Sequence, residues 1–73
     1  MKYRFDPNSN KTGVINELIN WTDIKDSLKD YNPEVLEVND IITNDKYKLI
    51  VHCIITAVLK QETYVGLTLL EVL

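Results

Sequence analysis

Apolar residues are unevenly spread along this chain. Positions 47–73 hold 17 of them among 27, whereas positions 6–46 hold 13 among 41. The C-terminal third therefore supplies most of the core, and the middle carries one apolar stripe at a time. Lys2-Tyr3-Arg4-Phe5 alternates polar and apolar, as a short half-buried strand does. Asp6-Pro7-Asn8-Ser9-Asn10 follows, a cluster of turn formers that breaks it. From Thr12 the period lengthens. Val14, Ile15, Leu18 and Ile19 recur as the buried face of a helix, with Asn10 or Thr12 placed to cap it. A second start lies inside this stretch: Thr22 or Asp23 as N-cap, then Ile24, Leu28 and Tyr31 at i, i+4 and i+7. Two short helices, or one bent near Trp21, satisfy the pattern equally. Pro33 supplies the stop, because the residue before a proline, Asn32, is driven out of the helical region.

Beyond Pro33 the pattern turns β-like. Residues 35–43 read as a strand with an irregularity at Asn39-Asp40, and Thr43-Asn44-Asp45-Lys46 as a hairpin turn. Residues 47–59 are rich in β-branched side chains, which suit a pleated surface. One face would be Tyr47, Leu49, Val51, Cys53, Ile55, Ala57 and Leu59. The other would be Lys48, Ile50, His52, Ile54, Thr56, Val58 and Lys60. After a turn at residues 60–63, residues 64–73 form the last strand, with Gly66 a candidate bulge. The expected fold is α+β, in the order β-α(α)-β-β-β. A three-stranded antiparallel meander, with the N-terminal strand as a fourth at an edge, has the helical segment packed on one face. Residues 1–73 make one small domain. A single helical layer leaves the second sheet face bare, so a homodimer through Ile50, His52, Ile54 and Val58 is expected.

Charge changes the picture. The net charge is −3, from eleven acids against eight bases, which argues against a sequence-independent nucleic-acid binder. The imbalance sits in residues 6–40, where eight carboxylates face three lysines. Asp23, Asp26 and Asp30 fall close to one helix face, with Glu34 and Glu37 soon after and Trp21 and Tyr31 beside them. That surface can dock on a basic partner protein, the acids supplying complementarity and the aromatics buried area. The plainer reading is a solvated helix face. Lys2, Arg4, Lys46, Lys48 and Lys60 would form the rim of an alternative nucleic-acid-binding module, with edge-strand protection as its plainer reading. A third reading is an accessory subunit of a larger complex.

Candidate chemistry is sparse. Asp6, Asn8, Asn10 and Glu17 fall on four ligand positions of a twelve-residue calcium loop, but Lys11 stands where the sharp turn needs glycine. A turn leading into a helix cap is the better account, so no metal is assigned. His52 and Cys53 are the single His and the single Cys; as strand neighbours they point apart and cannot share a metal or form a nucleophile–base pair. Glycine at 13 and 66 alone permits no phosphate-binding loop. No enzyme activity and no cofactor are expected. The most apolar run, residues 49–59, is too short to span a bilayer, which takes about 20 residues. A cytoplasmic location is expected. An abundance of Lys, Asn and Ile fits a low-GC bacterium, its phage or another mobile element. In that setting the chain would be a small regulator or inhibitor.

Overall fold

The computed structural model describes residues 2–7 and 20–73. The expected helix over Val14, Ile15, Leu18 and Ile19, its caps, Ser9 and most of the calcium-loop pattern lie outside the described residues. The four strands are β1 (Lys2–Pro7), β2 (Ile41–Thr43), β3 (Tyr47–Ala57) and β4 (Glu62–Val72), and α1 (Trp21–Ser27) is the one α-helix among the described residues. They form a single sheet in the order β1-β4-β3-β2. β2, β3 and β4 make the antiparallel meander, with β1 at an edge. The all-antiparallel expectation is corrected here: β1 runs parallel to β4, Lys2 opposite Glu62 and Phe5 opposite Val65, so the sheet is mixed.

The helix begins at Trp21, and its cap stands one residue earlier. Asn20, not Thr22 or Asp23, is the cap: its side-chain oxygen accepts from the Thr22 backbone N–H at 2.8 Å. Seven residues are too few to hold a helix unaided, and burial does the rest. Ile24 and Leu28, one turn apart, are fully buried against Phe5, Ile42, Tyr47, Leu49, Val51, Val65 and Leu67. Two polar clips tie the same segment to the β2–β3 turn. Asn44 donates to the Ser27 hydroxyl at 3.0 Å while its oxygen accepts from the Lys46 and Tyr47 N–H groups at 2.8 Å. The Tyr31 hydroxyl donates to the Thr43 carbonyl at 2.9 Å.

The strand expected over residues 35–43 is mostly loop. Asn32 caps a 3-10 turn at Pro33–Val35, Asp40 accepts from the Glu37 N–H, and Asn39 takes a left-handed φ of 76°. Asn and Asp compete locally for backbone partners and so break strands. Only Ile41–Thr43 pairs, although Asn39 N–H and Asp40 C=O still bond Val51.

β3 is the element that departs most from its pattern. Through Val51 the first expected face is right, with Tyr47, Leu49 and Val51 all in the core. There the register slips: Val51 faces Leu67, but Cys53 faces Gly66, so His52 is an extra residue in a β-bulge. Gly66, the expected bulge residue, is instead the residue that faces the bulge from the opposite strand. One added residue exchanges the faces. Ile54 now opposes buried Val65 and Thr56 opposes buried Thr63, the two threonine hydroxyls 3.2 Å apart. Cys53, Ile55 and Ala57 turn to the face away from the helix.

Gly66 is required by this geometry. A Cβ there would lie 2.6 Å from the Cys53 Sγ. Gly66→Ala is expected to cost about 1–3 kcal/mol of stability through overpacking. In a Cys53→Ala background most of that cost should vanish, read as a double-mutant cycle in urea unfolding. An equal cost in both backgrounds would show that the thiol is not the obstacle.

Candidate functional site

Sequence separation hides one concave feature. A groove of about 470 Å³ runs beside β1, walled by Lys2, Tyr3, Arg4 and Phe5 on one side and by Lys25, Asp26, Leu28 and Lys29 on the other; Tyr31 and Pro33 close one end. Phe5 and Leu28 are buried and make an apolar floor. β1 is an edge strand, so the groove lies where the sheet stops. The helix wall carries two cationic side chains, Lys25 and Lys29, and one carboxylate, Asp26, whereas Lys2 and Arg4 line the groove from β1, where they alternate with Tyr3 and Phe5 and project to the opposite sheet face beside Glu62 and Tyr64.

Burial of the helix builds this wall. Ile24 and Leu28 point into the core, and the exposed Lys25 and Lys29, each one position further along, border the groove. The cations of β1 are partly engaged. Arg4 lies over the Tyr64 ring, 5.5 Å from its centroid, and reaches Asp6 at 3.8 Å. That pair is the one ion pair among the described residues; Lys2, Lys25 and Lys29 make none with a described carboxylate, although the charge of Lys2 is felt by Glu62 opposite it.

The expected acidic docking face is only partly assembled. Asp23 and Asp26 are on α1, exposed, but Asp26 belongs to the basic groove. Asp30 lies in the turn after the helix, and Glu34 and Glu37 in the following loop, all exposed. Trp21 is half-buried against the core, and Tyr31 borders the groove. The residues expected at a dimer interface are separated by the bulge. Ile50 is on the face away from the helix, Ile54 on the helix face, His52 is the exposed bulge residue, and Val58 is in the 3-10 turn Val58–Lys60. The basic rim divides too. Lys48 opposes Glu71 while Lys2 opposes Glu62, nine residues away along β4, or about 30 Å at strand rise. Lys60 stays near Lys2, whose N–H bonds the Gln61 carbonyl. Nothing in the sequence marks Lys25 and Lys29 as groove residues, because they interleave with Asp23, Asp26 and Asp30 in the acidic stretch. Among the described residues no three His, Cys, Asp or Glu side chains converge as metal ligands would, and no helix is long and apolar enough to cross a membrane.

The back of β1 and β4 carries a second polar group. The Tyr64 hydroxyl donates to Glu62. That hydrogen bond, aided by the charges of Arg4, Lys2 and Lys60 and opposed by desolvation, holds the Glu62 carboxyl below its ordinary 4.5. The same bond pushes the Tyr64 hydroxyl above its ordinary 10.0.

Comparison with protein-family models, curated proteins and solved structures finds no match for the chain.

A depressed carboxylate contributes stability that is complete above its unfolded value and is lost as pH falls through the folded one. Glu62→Gln is therefore expected to lower the unfolding midpoint at neutral pH, with variant and wild type converging as pH drops well below 4.5. A constant gap across that range would remove Glu62 as the source.

Proposed function

We propose that this chain is a non-enzymatic binding module whose working surface is the groove between β1 and α1. The partner is another protein that presents an extended acidic segment. The observation behind this reading is local charge: Lys25 and Lys29 border a concavity on an otherwise acidic molecule, with Lys2 and Arg4 on the strand beside it. Electrostatic complementarity of that kind speeds encounter and sets orientation. The apolar floor of Phe5 and Leu28 and the flanking Tyr3 and Tyr31 offer contact area.

An acidic peptide suits the site better than nucleic acid. The chain's pI is about 4.9, so the surface surrounding the groove repels a long polyanion. Its single arginine is already stacked on Tyr64, which leaves little for bidentate reading of bases. An extended peptide also matches a groove that follows a sheet edge.

The acidic surface supports a second reading. Asp23, Asp30, Glu34 and Glu37 are exposed and make no ion pair among the described residues, so they remain available to a basic partner. Regulator, inhibitor and accessory subunit are all roles that such docking can serve.

Lys25→Glu with Lys29→Glu changes the helix wall of the groove from two cations and one acid to three acids. Binding of a labelled Asp/Glu-rich peptide, followed by anisotropy, is expected to weaken by about tenfold or more, equivalent to about 1.4 kcal/mol, and to fall with salt. Both positions are exposed, so the fold should persist by circular dichroism. An unbound peptide, or equal binding by the variant, would sink the proposal. Preference for a single-stranded oligonucleotide would assign the groove to nucleic acid instead, and loss of a basic peptide on Asp23→Lys with Asp30→Lys would favour the acidic surface.

A further inference from the structure

We propose that the outer edge of β3 is a self-association surface, on which residues 53–57 pair antiparallel with the same residues of a second copy about a twofold axis at Ile55. β2 pairs with β3 only opposite residues 48–50, and Asn39 and Asp40 extend the contact to Val51. Past Val51 no described strand lies on that side, so among the described residues the edge is open over residues 52–57. Sheets normally blunt such an edge with lysine, proline or charge. This stretch, His52-Cys53-Ile54-Ile55-Thr56-Ala57, contains none of these. The apolar surface continues beyond it: Ile55 is 58% exposed, Val58 74% and Leu59 fully exposed.

Three features select a second copy as the occupant. First, an antiparallel strand related by a twofold perpendicular to the sheet keeps its faces, so opposed residues must have the same parity. Centring on Ile55 satisfies this. Ile55 meets Ile55, Cys53 meets Ala57 on the face away from the helix, and Ile54 meets Thr56 on the helix face. Second, the lengths match. In this register Val58 would oppose His52 and Leu59 would oppose Val51, whose outer side is already bonded to Asp40. β3 leaves the sheet at that point, turning into Val58–Lys60, so the two chains do not collide. Third, an uncharged edge brings no like charges together when it meets itself, although each chain carries −3. The arrangement is closed: each edge is used up by the other, giving a dimer rather than a fibre. It differs from the interface expected from the strand pattern, because the bulge has moved Ile50 and Ile54 to opposite faces. It does not depend on the groove.

The experiment is the solution mass of the full chain by light scattering over a concentration series, for wild type and Ile55→Lys. Ile55 is exposed in the monomer, so lysine is compatible with the fold, yet at the twofold it places two like charges directly opposite each other. Wild type should be a dimer, and Ile55→Lys should raise its dissociation constant by about tenfold or more with an unchanged circular dichroism spectrum. In a Cys53→Ser background, Ile55→Cys should give a disulfide-linked dimer on mild oxidation. A wild type that is monomeric throughout overturns the proposal, and so does a dimer indifferent to Ile55→Lys.

Discussion

The slip between Val51 and Cys53 governs more of this molecule than any other local feature. β3 carries apolar side chains on both faces, and without a bulge it would run flat with one apolar side against the helix. Inserting His52 hands the inner face from Tyr47, Leu49 and Val51 to Ile54 and Thr56. A bulge also bends its strand and sharpens the twist. The half-exposed Ile54 beside the fully buried Val51 fits a strand that carries its far end away from the helical layer. The slip further demands a residue without a Cβ on the facing strand, because Cys53 Sγ occupies that space. Gly66 thus answers a requirement set thirteen residues earlier in the chain, and its own φ is not positive. Close approach explains this glycine; backbone freedom does not.

The other end of the sheet is organised by burial rather than by backbone register. A helix of seven residues gains almost nothing from its own hydrogen bonds. Its position follows from Ile24 and Leu28 and from the Asn44 and Tyr31 clips. Those contacts fix the azimuth of the helix, and the azimuth fixes where Lys25 and Lys29 stand. The electrostatics of the groove are therefore a consequence of core packing. The polar clips also tie the turn before β3 to the C-terminal end of α1.

What could be read in the sequence follows from how local each signal is. Ile24 and Leu28 at one-turn spacing, the turn at residues 43–46 and the three-stranded meander are written within a few residues of each other, and the structure has them. The parallel sense of β1 is not written locally. Six residues alternate identically whichever way the neighbour runs, and direction depends on the path of the intervening chain. The bulge was equally silent, since residues 49–59 are apolar on both faces and a one-residue slip leaves no mismatch to notice. Val35 and Val38 suggested a strand, but Asn32, Asn39 and Asp40 offered the backbone closer partners and prevailed. The groove was hidden for a different reason. Lys2 and Arg4 lie more than twenty residues from Lys25 and Lys29, and counting charge by segment assigns those lysines to an acidic stretch. Net charge per segment measures composition along the chain, whereas a partner meets charge arranged on a surface.

The two proposed surfaces are compatible because the sheet order keeps them apart. The groove follows β1 and the open edge belongs to β3, with β4 between them. Self-pairing at Ile55 would give the order β1-β4-β3-β3-β4-β1 across the twofold, placing the two β1 strands at the outer edges. Five intervals at about 4.8 Å put them about 24 Å apart. A twofold perpendicular to the sheet leaves both helices on one face, so both grooves would open toward the same side. Such a dimer offers two equivalent basic grooves to one partner surface. An acidic segment that occurs twice, or a partner that is itself twofold, would then bind with a second contact made at high effective concentration. Modest affinity at each groove would suffice, which suits an exposed site of about 470 Å³ built from lysines that water still reaches.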